Sequence, residues 1–340
     1  MVSDGSFRPR SADRVLTRRR SLLQLGLLLG STSPIAIARV TRARVGWLSV
    51  YPPQASTVRD RSHSIFVLRM QELGWNEGDN FTFELRGRLI GESLETAVKA
   101  LVALNCDVLI SRGTEAVKLL RDASADVPIV MAGVGDPVGT RLIKSLARPG
   151  GNVTGVSMVG QELFTKIVSM LRDLVPGAKR VDLLTSASNP ASAFFARVVA
   201  EAARSLGLAN GVLEVRRPDE LERTIAATPA DALVVNSDPT FFDHLGRMAT
   251  AARRRRLPMA CNDFGELTRA GGLFSYSPDG DEITRQVADY TDRILRGAKP
   301  ADLPVAQPRR YRFVVNLDTA RTLGLTVPGA QLAVADEVIR

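Results

Sequence analysis

Ser111-Arg112-Gly113-Thr114 stands where a β-branched run, Asp107–Ser111, gives way to a helical stretch, Thr114–Ala123. A helix start carries unpaired N–H groups and the positive end of the helix dipole, which suits a carboxylate. The hydroxyls of Ser111 and Thr114 would add donors beside Gly113; the plainer alternative is that Thr114 only caps its helix. Gly133-Val134-Gly135-Asp136-Pro137-Val138-Gly139 follows the next run. Its G-x-G-x-x-x-G spacing and its place after a fourth strand depart from the dinucleotide fingerprint, which argues against a nucleotide site. Two readings remain: Asp136 and Pro137 open a helix over Val138–Leu146, or Gly135 and Asp136 form a ligand loop whose carboxylate pairs with an ammonium. Ser49-Val50-Tyr51 holds the equivalent place after the first strand, where Tyr51 would stack on a ligand or pack in a hinge. Ser186 to Asn189, Asn236-Ser237-Asp238 and Asn262-Asp263 end three later strands. Turn chemistry alone explains such residues. Their shared position makes Ser186, Asn189, Asn236 and Asn262 candidate ligand contacts, with Asp238 and Asp263 as alternative ammonium partners. Ser275 and Tyr276 fall near a predicted crossover and would line its hinge side.

Signals for catalysis are sparse. His63 and His244 are the two histidines. Gly155-Val156-Ser157-Met158-Val159 has Val where a nucleophile elbow needs Gly. No Cys/His spacing suits zinc, so no metal, cofactor or catalytic residue is expected. Arg253-Arg254-Arg255-Arg256 ends a helix, where cations favour the negative dipole end and solvent. Without a helix-turn-helix or zinc finger beside it, nucleic acid is not an expected partner.

These clusters need strands to carry them. From residue 43, β-branched runs alternate with helical stretches of 10–18 residues, the pattern of βαβ units and parallel sheets. The alternation starts afresh after Gly160, which predicts an α/β fold of two Rossmann-like lobes with a ligand cleft between them. The expected division is residues 43–158 plus 272–340 for lobe one and 159–271 for lobe two. A chain that crosses to lobe two and returns would lay its tail, including the amphipathic helix Asp279–Arg296, against lobe one.

The 340 residues carry a formal net charge of +9. Six Arg and two Asp within residues 1–38 supply +4 of it. Arg18-Arg19-Arg20, the apolar run Ser21–Gly30 and Ala36-Ile37-Ala38 read as an export signal with a small-x-small cleavage site. Arg19-Arg20-Ser21-Leu22-Leu23 also resembles a twin-arginine signal, leaving the Sec or Tat route open. Cys106 and Cys261, the only cysteines, fall in different predicted lobes, and two free, buried thiols are expected.

Longer words carry a family resemblance: Gln71 to Gly78, Gly135-Asp136-Pro137-Val138-Gly139, Ser145 to Gly155, Ala270-Gly271-Gly272-Leu273, Tyr290 to Val305, and Asn316-Leu317 with Ala320 and Leu323 to Pro328. Over residues 43–340 the chain resembles the periplasmic solute-binding components of ABC transporters whose few studied members bind tryptophan or tyrosine. The resemblance implies a type I periplasmic-binding-protein architecture, capture of a small carboxylated or zwitterionic molecule by lobe closure, a membrane permease as partner and periplasmic location. A soluble monomer and no enzymatic activity are expected. Aromatic residues are only 5% of the chain, so an aromatic sandwich would rest on few side chains, Tyr51 and Tyr276 among them. The rivals are a cytoplasmic ligand-sensing regulator, which would need a DNA-binding motif, and a Rossmann-like enzyme, which would need an acid/base set.

Overall fold

The β-branched runs of the first half become one five-stranded sheet, four strands buried along nearly their whole length and the fifth, Phe81–Gly87, half-buried at an edge. A computed structural model describes residues 42–50, 56–87, 92–158 and 161–340, and side chains from residue 61 onward in the first helix. The expected export signal and Tyr51 lie outside the described residues. Lobe one contains β1 (Ala43–Ser49), α1 (Ser56–Glu72), β2 (Phe81–Gly87), α2 (Leu94–Val102), β3 (Val108–Ser111), α3 (Thr114–Ala123), β4 (Ile129–Val134) and β5 (Val153–Ser157). The strand order is β2-β1-β3-β4-β5, all parallel. Strand neighbours point to opposite faces. Leu109, Ile129 and Met131 therefore pack with Val98, Leu101, Val117 and Leu120 of α2 and α3. Val108, Ile110, Val130 and Ala132 face Phe66 and Met70 of α1. Burial on both faces is why these strands read as continuous apolar runs.

Lobe two begins with α4 (Gln161–Leu174), β6 (Arg180–Ser186), α5 (Ser192–Ser205), β7 (Ala209–Val215), α6 (Leu221–Ala227), β8 (Ala232–Val235), α7 (Leu245–Arg254), β9 (Met259–Cys261) and α8 (Glu266–Ala270). The tail adds β10 (Phe274–Pro278), α9 (Gly280–Leu295), β11 (Tyr311–Asn316), α10 (Leu317–Leu323), α11 (Gly329–Ala333) and β12 (Glu337–Ile339). The second sheet runs β12-β11-β10-β9-β8-β6-β7. It is parallel except where β11 lies antiparallel to β10.

This order corrects the expected lobe boundary. Residues 272–340 do not return to lobe one as a block: β10, β11 and β12 extend the second sheet. Only α9 and the segment after it go back, with Ile283, Val287 and Ala288 packing beside Phe66 and Met70. The chain therefore crosses between lobes after β5, after β10 and before β11. A second correction concerns Val138–Leu146, which forms turns and no helix. Asp136 and Arg141 have positive φ, and the Asp136 carboxylate accepts from the Gly139 N–H at 2.9 Å. That turn delivers both Leu142 and Ile143 into the core. Both cysteines are buried and free; burial pushes the Cys106 thiol up to about 11 and holds the Cys261 thiol well above its ordinary value.

The two long sequence words turn out to be neighbours. Asn152 donates to the Ser124 and Val127 carbonyls, and Thr154 donates to the Leu303 carbonyl at 2.7 Å. The Ala306 N–H donates to Gly155 O and the Ser157 N–H to Ala306 O, both at 2.9 Å. Gly155 has φ +124°, and a Cβ there would stand 2.4 Å from the Met131 carbonyl oxygen.

At the end of β9 lies a buried acid pair. Asp263 accepts from the Gly265 and Leu267 N–H groups at 3.0 and 2.6 Å and so starts α8. Burial, then the nearby Glu266, pushes its carboxyl up to about 7. Burial likewise raises Glu266, against the pull of Arg112 and Arg269.

Two predictions follow from the backbone and from this pair. Gly155→Ala should cost about 3 kcal/mol through strain and steric conflict, whereas Gly207→Ala, at φ +70° in open space, should cost about 1 kcal/mol. Thermal melts of the two variants check the ranking. For Asp263, a raised carboxyl means that the native state holds a proton the unfolded chain releases. Its contribution is therefore present below about pH 4 and fades as pH rises toward 7. Asp263→Asn should flatten the melting-temperature decline over that window relative to the parent; parallel profiles would count against it.

Candidate functional site

The carboxyl ends of both parallel sheets face each other across a cavity of about 670 Å³, counting the space at its mouth. Ligands bind at such ends of α/β sheets because backbone groups stop pairing where strands turn into helices. From lobe one come Val50 after β1, Arg112 to Glu115 after β3, Gly133 and Gly135 at β4, and Met158 after β5. From lobe two come Asn189 after β6, Phe195 on α5, Asn236 to Pro239 and Phe242 after β8, and Asn262 and Phe264 after β9.

One end of the cavity is polar and largely pre-assembled. Asn189 donates to the Asp238 carboxylate at 2.8 Å and accepts from the Ala191 N–H at 2.9 Å. Asp238, only 1% exposed, also accepts from the Thr240 N–H at 3.0 Å. The Asn262 side-chain oxygen accepts from the Ser237 N–H at 2.6 Å. Asn236 differs from its neighbours. It is 1% exposed, yet neither its side-chain oxygen nor its nitrogen has a hydrogen-bond partner within the protein. A buried amide left in that state costs about 1–3 kcal/mol, and one that also lines a cavity offers a donor and an acceptor to whatever enters.

The other walls are apolar, and they are where the lobes touch. Phe195 reaches across to Gly135, where a Cβ would lie 2.5 Å from the Phe195 ring tip. Pro239 approaches Gly113, which has φ +81° and precedes the first turn of α3. The Arg112 guanidinium lies over the Phe264 ring at 4.3 Å from its centroid, a cation–π contact across the gap. Met158 and Phe242 complete the lining.

The structure brings together Gly113, Thr114, Gly135, Asn189, Asn236, Asp238 and Asn262 of the residues expected from sequence. The others go elsewhere. Ser49 is buried beside the cavity, in a smaller one with Trp47, His63 and Phe83. Ser111 donates to the Leu48 carbonyl inside the sheet. Asp136 is spent on its turn with Gly139. Ser186 is bonded to Ser188 and Thr240. Asp263 starts α8. Tyr276 stacks on Tyr311, centroids 5.5 Å apart, in the lobe-two core. Asp136, Asp263 and Tyr276 do not line this cavity: local turns hold the two acids, and sheet pairing with β11 holds the tyrosine. Sequence reasoning missed Arg112, Glu115, Met158, Phe195, Phe242 and Phe264. For Arg112 a signal existed, its place between Ser111 and Gly113; an apolar cavity wall reads in sequence like ordinary core.

Among the described residues no helix is long and apolar enough to cross a membrane. The fold is shared with a crystal structure described as the ABC domain in complex with L-Trp from Streptococcus pneumonia, at 26% identity and TM-score 0.79 over 88% of this chain and 100% of that one. A conserved domain protein from Vibrio cholerae aligns with TM-score 0.79 at 24% identity, covering 87% of this chain and 99% of the other. In sequence, a tyrosine-binding protein of Clostridioides difficile is 22% identical over 269 residues, 78% of this chain and 77% of that protein. Residues 62–339 match the family described as ABC transporter substrate binding protein. With two parallel-sheet lobes meeting over a polar and aromatic cavity, this chain belongs to the ABC transporter substrate-binding protein family.

Proposed function

We propose that this protein binds a small zwitterion with an apolar or aromatic side chain, an amino acid of the tryptophan or tyrosine class. In this reading it acts as an exported monomer in the periplasm and presents its cargo to a membrane permease, with no turnover of its own. The observation that carries the ligand reading is Asn236, a buried amide with both polar atoms unpaired at the cavity wall. The ligand names attached to the two relatives support the same class.

The geometry suits a division of labour. Asp238 has spent one acceptor site on Asn189 and one on the Thr240 N–H, and a carboxylate has about four. Its remaining capacity, with the oxygen of Asn236, suits an ammonium. The carboxylate fits the opposite side, where Arg112 and the start of α3 supply positive charge. The side chain then lies among Met158, Phe195 and Phe242. A molecule gripped from both lobes stabilises the closed form over the open one.

Two outcomes are expected. L-tryptophan or L-tyrosine should raise the melting temperature in a saturable way, about 2.7 kcal/mol of added stability at a hundredfold excess over Kd. If no aromatic amino acid or related zwitterion shifts the transition, the ligand reading fails. Asn236→Ala should leave the ligand-free melting temperature unchanged or higher, since it removes an unpaired buried amide, and should weaken ligand binding at least tenfold by calorimetry. A variant that loses stability but keeps affinity would mean that Asn236 is structural.

A further inference from the structure

The contact of Arg112 with Phe264 is also a partition. Beyond it, on the side of α1 and α9, lies a second cavity of about 940 Å³, counting its mouth. Four guanidinium groups line it: Arg61 on α1, Arg112 after β3, Arg269 on α8 and Arg312 on β11. Two belong to lobe one and two to lobe two. Ser277 and Gly280, at a lobe crossing, close one side.

Carboxylates already engage part of this charge. Asp281 pairs with Arg61 through its Nε, at 2.8 Å, and Nη2. Glu337 takes Nε and Nη2 of Arg269 at 3.0 and 2.6 Å and stands 3.9 Å from Arg312. Glu266 lies close to Arg112 and Arg269, with both carboxylate oxygens buried. Asp279 is spent on the first turn of α9, accepting from the Asp281 and Glu282 N–H groups. Arg61 and Arg269 each keep donors after these pairs, because a guanidinium has five N–H groups and a bidentate carboxylate uses two. Four arginines from both lobes around one space, two of them with donors left over, match an oxyanion with several acceptor oxygens.

We propose that this arginine-lined cavity is a second binding site, for a small multivalent oxyanion of the phosphate, sulfate or polycarboxylate class, and that its occupant staples the lobes together. The stapling follows from the origin of the charges: an anion shared by Arg61 or Arg112 and by Arg269 or Arg312 is held fully only when the lobes are closed. Whatever binds the closed form better also raises the affinity of a second ligand that requires closure, and the coupling is reciprocal.

The test titrates the full-length protein with inorganic phosphate, sulfate and citrate, each against sodium chloride at matched ionic strength. At least one should raise the melting temperature saturably where chloride does not. Arg312→Gln and Arg61→Gln should each weaken that effect at least tenfold, and Arg254→Gln, on the remote surface between α6 and α7, should not. A shift that follows ionic strength alone, or that survives both cavity variants, overturns the site. The anion arm needs no amino acid, so it stands or falls separately from the ligand reading. Where L-tryptophan binds, the saturating anion should tighten it at least threefold in the parent and not in Arg312→Gln; equal affinities overturn the stapling.

Discussion

The strands β10 and β11 pair with each other in the second sheet, yet the helix between them packs on the first. That arrangement constrains everything else. It forces the chain across the gap three times on one side, which leaves the facing strand ends free to separate or meet on the other. Long-range pairing of this kind is also what ties the segment around Ala306 to β5, through bonds to Gly155 and Ser157. The close approach at Gly155 and the buried Thr154 hydroxyl belong to the same seam, so the lobe-one core and the tethers form one packing problem.

On the free side, the polar groups of lobe two form a bonded set. Asn189, Asp238, Asn262 and the backbone at residues 237 and 240 hold one another in place. Pre-organisation of this sort reduces the ordering cost of binding. The unpaired amide of Asn236 shows the opposite side of the same economy, stability given up where a partner from outside is to be received. Around these groups the lobes meet through Phe195 on Gly135, Pro239 on Gly113 and Arg112 on Phe264. Two of those contacts need a glycine, since any side chain at Gly135 would strike the Phe195 ring, and Gly113 has a positive φ. Charge, aromatic surface and close backbone approach thus serve closure together.

Much of this was legible from residue order. The alternation of β-branched runs and amphipathic stretches marked the parallel strands, since strands buried on both faces read as apolar runs; the antiparallel direction of β11 in the second sheet carried no such mark. α3 begins and ends where the sequence placed it, at Thr114 and Ala123. Polar residues at strand ends were recognisable one by one, and Gly113, Thr114, Gly135, Asn189, Asn236, Asp238 and Asn262 do converge. What failed did so for physical reasons. Asp136-Pro137 is a good helix start, but the Asp136 carboxylate found the Gly139 N–H and closed a turn instead. Asp263 looked like a binding carboxylate and is a cap. β12, at three residues, carries too little pattern to compete with its neighbours.

Sequence alone determined the family, the two-lobed α/β plan and the supply of polar groups at the strand ends, because period, turn chemistry and glycine placement are local properties written in adjacent residues. Tertiary structure decided which sheet the tail strands join, which acids are consumed by backbone N–H groups, and which phenylalanines and arginines face a cavity rather than a core or solvent. Those choices depend on partners brought together from far along the chain. Phe264 is the clearest case: nothing in its neighbours distinguishes it from a core residue, and only the approach of Arg112 from the other lobe makes it the wall between two cavities.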